Sequence, residues 1–126
     1  MLKIRREQMD LFDEQAELQF EKRALRFVQE YWPETFTDMG EEMVADSIRQ
    51  GLAKARSYGI DQEYDILRFI NHMYALGFDF DEDPRFPWAA EILENTEIEA
   101  QSRMDDLSKH TAALLRGDDP EGPVGE

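Results

Sequence analysis

Asp79, Asp81 and Asp83 alternate through the segment FDFDEDP, the one-three-five spacing that opens the oxygen-ligand loop of an EF-hand. The rest of that loop departs from the pattern. Pro84 stands where the sharp turn needs glycine, and Ala90 stands where a bidentate glutamate should close the shell. A tight calcium site is therefore not expected. The carboxylates are instead suited to a turn, and the Asp83-Pro84 step favours extended backbone leading into it. The two histidines, His72 and His110, have no second ligand at a spacing such as HExxH. The carboxylate neighbours Glu41/Glu42 and Asp105/Asp106 are adjacent in sequence, so on a helix they point to different sides and do not converge as an acid–base pair. There is no cysteine, no glycine-rich phosphate loop and no serine elbow. These residues give no catalytic constellation, no metal site and no cofactor site, and the expectation is a protein that is not an enzyme.

Net charge is more informative. The chain of 126 residues carries 14 Lys and Arg against 29 Asp and Glu, a formal charge of −15. Such a chain lacks the basic face that exchanges counterions with nucleic-acid phosphates, and anionic lipid repels it. The excess is unevenly placed. Residues 1–60 hold nine basic and twelve acidic side chains, whereas residues 61–126 hold five and seventeen. Two readings follow: a solvated acidic coat, or a surface that draws in a basic partner and speeds its association. The length suits one domain with a modest core. With no cysteine, no secretory apolar run in MLKIRREQMDLF and no stretch near the ~20 apolar residues of a membrane span, a cytoplasmic setting is expected.

The elements that position these residues read as helices throughout. Met9, Phe12, Ala16, Phe20, Ala24, Phe27 and Tyr31 recur by threes and fours, predicting one helix over 4–32 that Pro33 ends. Residues 33–40 are expected to be a connector with Phe36 turned inward. A second helix spans about 40–58, with Val44, Ile48, Leu52 and Ala55 inside and Gly51 at a close helix contact. Gly59 closes it. Asp61 is placed to cap a third helix over 62–76, whose apolar residues, among them Ile66, Phe69, Ile70 and Met73, cover more than half its circumference and mark it as the central helix. Residues 78–86 form a loop, and Pro87 starts a short helix through Trp88, Ile92 and Leu93. Thr96 and Glu99 match a capping box for a last helix to about Arg116, with Ile98, Met104, Leu107, Thr111 and Leu114 inward. The expected fold is an all-α, single-domain helical bundle over 1–116, of four main helices plus one short one. A flexible acidic tail follows over 117–126.

Seven aromatic rings, Tyr31, Trp32, Phe36, Phe78, Phe80, Phe86 and Trp88, fall at helix ends and in loops. They suit either closure of the core or a partner-binding patch, since aromatic residues dominate interface centres. The 78–88 segment joins such rings to carboxylates. Phe78, Asp79, Phe80, Asp81, Glu82, Asp83, Phe86 and Trp88 are accordingly the candidate partner-binding residues.

The segments IRREQMDLF (4–12), MGEEMVADSIRQG (39–51) and YGIDQEYDILRFINHMYALGFDFDEDPRFPWAAEIL (58–93) resemble a group of small bacterial proteins encoded beside type VI secretion spike and toxin genes. The resemblance covers about three-quarters of the chain, in fold positions rather than catalytic ones. It implies an accessory role around a secreted effector: an adaptor or chaperone that binds a toxin or spike protein in the producing cell, or alternatively an immunity protein that neutralises a cognate toxin with its acidic half. A dimer with the first helix as interface also stays open.

Overall fold

A computed structural model of the protein describes residues 14–117. Every regular element among them is helical. In chain order these are α1 (Glu14–Tyr31), α2 (Pro33–Met39), α3 (Glu41–Ser57), α4 (Glu63–Leu76), a single 3₁₀ turn (Phe80–Glu82), α5 (Pro87–Glu94) and α6 (Ala100–Arg116). The expected first-helix residues Met9 and Phe12 lie outside the described residues, and so does the tail beyond Gly117. The described chain groups into two compact units that divide within α4, between Asn71 and His72.

In the first unit α1 packs on α3, and α2 packs on both. The buried line of α1 is Phe20, Ala24 and Val28. This corrects the expected stripe: Tyr31 is 62% exposed and Phe27 half-buried, because steps of four from Phe20 lead to Val28 and leave the threes on the flank. Phe27 and Tyr31 instead pair with each other, ring centroids 4.9 Å apart. Across the unit, α3 buries Val44, Ala45, Ile48, Gly51, Leu52 and Ala55, and α4 contributes Ile66, Phe69 and Ile70.

The expected connector 33–40 is a helix, α2, so the described residues hold six α-helices where five were expected. Pro33 does end α1. It also occupies the first position of α2, where its fixed φ is already helical and its missing N–H would have had no partner. Phe36 in α2 is half-buried. The end of α3 is a Schellman motif: Gly59, at φ 78°, donates to the Arg56 carbonyl at 2.9 Å, and Ile60 donates to Ala55 at 2.9 Å. Ile60 is then wholly buried, which turns the chain into α4. Trp32 Nε1 donates to Asn71 Oδ1 at 2.9 Å, tying the junction of α1 and α2 to α4.

The second unit contains the end of α4, the 3₁₀ turn, α5 and α6. The turn packs on α5, and α5 packs on α6. Its core includes Met73, Phe80, Trp88, Ala89, Leu93, Met104 and Leu107. The expected capping box is not formed. Helix α6 begins at Ala100, its N-cap is Glu99 in an extended conformation (φ −64°, ψ 155°), and no side chain caps it. The reason lies in the preceding turn, where Ile98 N–H bonds Asn95 O at 3.1 Å and keeps Thr96 out of register with the helix start. Inward positions of α6 are Arg103, Met104, Leu107, Thr111 and Ala113. Of the expected ones, Ile98 is 41% exposed and Leu114 half-buried.

Ile70, fully buried on α4, tests the packing. Ile70→Ala removes three buried carbons and is expected to lower unfolding free energy by about 2–5 kcal/mol in a urea melt followed by far-UV circular dichroism. A loss below about 1 kcal/mol would show that this position is peripheral.

Candidate partner-binding site

The 78–88 segment is built from short-range backbone hydrogen bonds. Phe80 N–H donates to Gly77 O at 3.1 Å and Glu82 N–H to Asp79 O at 3.0 Å, which winds the 3₁₀ turn. Phe86 N–H then donates to Asp83 O at 2.9 Å, closing a turn around Pro84 and Arg85. The Asp83 carboxylate reinforces that turn. Its Oδ1 accepts from Arg85 N–H at 2.9 Å, an Asx turn, and its Oδ2 accepts from Arg85 Nη2 at 2.7 Å. Pro87 sits at the first position of α5 and starts the next helix directly.

The eight candidate residues divide by depth. Phe80 is wholly buried, and Asp81, Phe86 and Trp88 are 3%, 7% and 2% exposed. Phe78 and Asp83 are half-buried, and Asp79 and Glu82 are exposed. The rings of Phe80, Phe86 and Trp88 thus hold the segment down from beneath. Phe80 lies 6.2 Å from the His72 ring, and Trp88 lies 5.7 Å from Phe86. Trp88 is also stacked on His110 at 4.6 Å with the planes 11° apart. The accessible part of the segment is Phe78, half-buried with its ring 5.1 Å from that of Tyr74, and the carboxylates of Asp79, Glu82 and Asp83. The three alternating aspartates do not converge: one is buried, one is exposed and one is engaged by Arg85. Among the described residues no group of three or more His, Asp or Glu is placed to hold a metal ion.

Electrostatically the segment is less negative than its sequence suggests. Arg85, its guanidinium over the Phe86 ring at 5.1 Å, neutralises Asp83. The side-chain hydrogen bonds from Arg85, and next its backbone N–H, hold the Asp83 carboxyl below the usual range, and Asp83 in turn raises Arg85.

Two residues outside the eight candidates shape this unit. His110 is a stacking platform for Trp88. Arg103 is only 3% exposed; its Nη1 donates to Leu93 O at 2.8 Å and its Nε to Ile98 O at 2.9 Å. One buried guanidinium therefore satisfies a carbonyl from the last turn of α5 and another from the following turn, and fixes both against α6. The only sequence signal was a cation at an inward position of an amphipathic helix. Further acid lies on the outside of the unit, at Glu91, Glu94, Glu97, Glu99, Asp105 and Asp106, all exposed. No family model, curated protein or solved structure matches the chain.

Two measurements check this division. Phe80→Ala is expected to cost about 3–5 kcal/mol of stability, whereas Phe78→Ala costs about 1 kcal/mol or less. In an NMR titration the Asp83 carboxyl should titrate below the reference of about 3.9, and Arg85→Gln should move it back up. Because the folded value is the depressed one, the pair's contribution is complete above the unfolded value and is lost as pH falls through the folded one. An Asp83 titration unchanged by Arg85→Gln contradicts this account.

Proposed function

We propose that the protein is a non-catalytic accessory protein, an adaptor or chaperone that binds a type VI secretion effector or spike protein in the cytoplasm of the producing cell. The observation that carries this reading is the turn at 78–83, where exposed Asp79 and Glu82 sit beside the edge of Phe78 on a base of buried rings. A surface held from below loses little conformational freedom on binding, so more of its contact energy appears as affinity. Its carboxylates, with those along α5 and α6, suit a basic partner surface. The resemblance of residues 4–12, 39–51 and 58–93 to proteins encoded beside spike and toxin genes supplies the class of partner. Among the described residues, no helix is long and apolar enough to cross a membrane.

A second reading, an immunity protein that covers the basic active site of a cognate toxin, is favoured by the exposed carboxylates Glu91, Glu94, Asp105 and Asp106. Removing the gene separates the two. An adaptor's loss abolishes export of the toxin and leaves the producing cell alive; an immunity protein's loss poisons the cell and leaves export intact. A strain with neither defect contradicts both readings. For the adaptor, Asp79→Asn with Glu82→Gln is expected to slow association with the toxin by about threefold to tenfold, a defect that shrinks in high salt. An association rate that ignores both the substitutions and the salt removes this surface from the proposal.

A further inference from the structure

In the second unit a cavity of about 310 Å³ opens at the corner where α5 passes into α6. Glu91, Ile92 and Asn95 line it from α5 and its end, Ile98 from the following turn, and Arg103 and Asp106 from the first turns of α6. Positions 91 and 95, and 103 and 106, are about one helical turn apart, so each helix presents one edge to the space. The corner is fixed before anything arrives. Asn95 O accepts from Ile98 N–H at 3.1 Å, and the buried guanidinium of Arg103 donates to Leu93 O at 2.8 Å and to Ile98 O at 2.9 Å. A site held in this way loses little conformational freedom on binding.

Its walls and its rim differ in chemistry. Ile98 is 41% exposed and Ile92 half-buried, so both leave apolar surface open to the space. The Glu91 and Asp106 carboxylates are exposed, and among the described residues neither has an ion-pair partner. Against these two carboxylates the lining sets one cation, Arg103, turned inward to the Leu93 and Ile98 carbonyls. The wider corner has the same sign: residues 91–109 hold six acidic side chains and two basic ones, Arg103 and Lys109. One incoming cation therefore brings the lining to neutrality, and the surrounding field draws it in. A hard metal ion gains nothing from isoleucine walls. A long aliphatic side chain ending in a cation matches both parts of the site, its stem on the isoleucines and its head at the rim. Arginine suits it better than lysine. Its planar guanidinium offers several donors to two carboxylates standing on different helices, and it gives up hydration more readily than an ammonium.

We infer that this cavity takes an arginine side chain of a basic protein partner, with the stem along Ile92 and Ile98 and the guanidinium between Glu91 and Asp106. The inference deepens the reading of an acidic protein that meets a basic partner, and rests on that reading for the source of the arginine. The chemistry of the cavity is tested without it.

The probe is Nα-acetyl-arginine methylamide, titrated into the isotope-labelled full chain and followed by NMR. Saturable shifts of the Ile92, Ile98 and Asp106 amides are expected, with a dissociation constant of about 1–10 mM, the scale for so small a ligand. The citrulline analogue, similar in shape and uncharged, is expected to bind about tenfold more weakly, and the lysine analogue about threefold. Asp106→Asn and Glu91→Gln, both at exposed positions, should each weaken the arginine probe by about threefold to fivefold with the helical spectrum unchanged. Glu94→Gln removes the same charge from the same helix outside the lining, and is expected to change binding by less than about twofold. Binding that never saturates, that ignores the exchange of arginine for citrulline, or that prefers lysine overturns the inference. So does binding that falls as much with Glu94→Gln as with Asp106→Asn, which is the behaviour of a diffuse acidic coat. The two readings fail separately. A strain lacking the gene that keeps both export and viability removes the proposed function, while a saturable arginine site still stands. A cavity that refuses the probe removes the site, while the deletion phenotypes still stand.

Discussion

The constraint on which the rest of this structure depends is the satisfaction of helix ends. Each α-helix leaves four N–H and four C=O groups without intrahelical partners, and the six α-helices of the described residues multiply that demand. At four of the helix starts side-chain N-caps do not meet it: Trp32, Gly40, Phe86 and Glu99 precede α2, α3, α5 and α6, and none makes a side-chain cap bond. Two prolines remove one orphan donor each by standing at the first position of α2 and α5. At the other ends, the Gly59–Ile60 reversal returns two donors to α3, and Arg103 reaches a carbonyl in the last turn of α5. A buried cation usually carries a large desolvation cost, which Arg103 offsets through hydrogen bonds to carbonyl dipoles.

That arrangement explains why the 78–88 segment can be acidic outside and aromatic inside. The chain leaves α4 at Gly77 and reaches Pro87 within a few residues, so each side chain between them faces either inward or outward. Phe80, Asp81, Phe86 and Trp88 face inward; Asp79 and Glu82 face water. The choice between core and interface posed by the aromatic sequence is resolved ring by ring, with Phe78 alone among the segment's rings left part-way out.

Elements with strong punctuation were legible in the sequence. The Gly59 reversal, the Pro87 start and the Gly117 stop lie where glycine conformation and proline geometry predict them. The core positions Val44, Ile48, Leu52, Ile66, Phe69 and Ile70 follow the helical period. What escaped was context. Pro33 reads equally as a stop and as a start, so α2 was hidden behind the end of α1. Thr96 and Glu99 have capping-box spacing, but spacing carries no information about the Asn95–Ile98 hydrogen bond that makes a turn there instead. At the candidate site the composition of the segment was readable, whereas its sorting by depth was not. Alternating Phe and Asp suggests that aspartates share one side, and the 3₁₀ turn breaks that alternation by placing Asp81 inside with Phe80.

The partition of charge constrains which surface can do what. Residues 61–126 hold seventeen acidic and five basic side chains, and one of those five, Arg103, is enclosed. Two such halves repel one another, so self-association through them is disfavoured, while a positively charged partner is attracted at long range. Residues 1–60 are different in kind. Their nine basic and twelve acidic side chains are interspersed along the chain and nearly balance. A half so nearly balanced exerts little long-range force on a surface of either sign. The acid excess is thus a property of residues 61–126, and any long-range steering by charge is concentrated there rather than spread evenly over the chain.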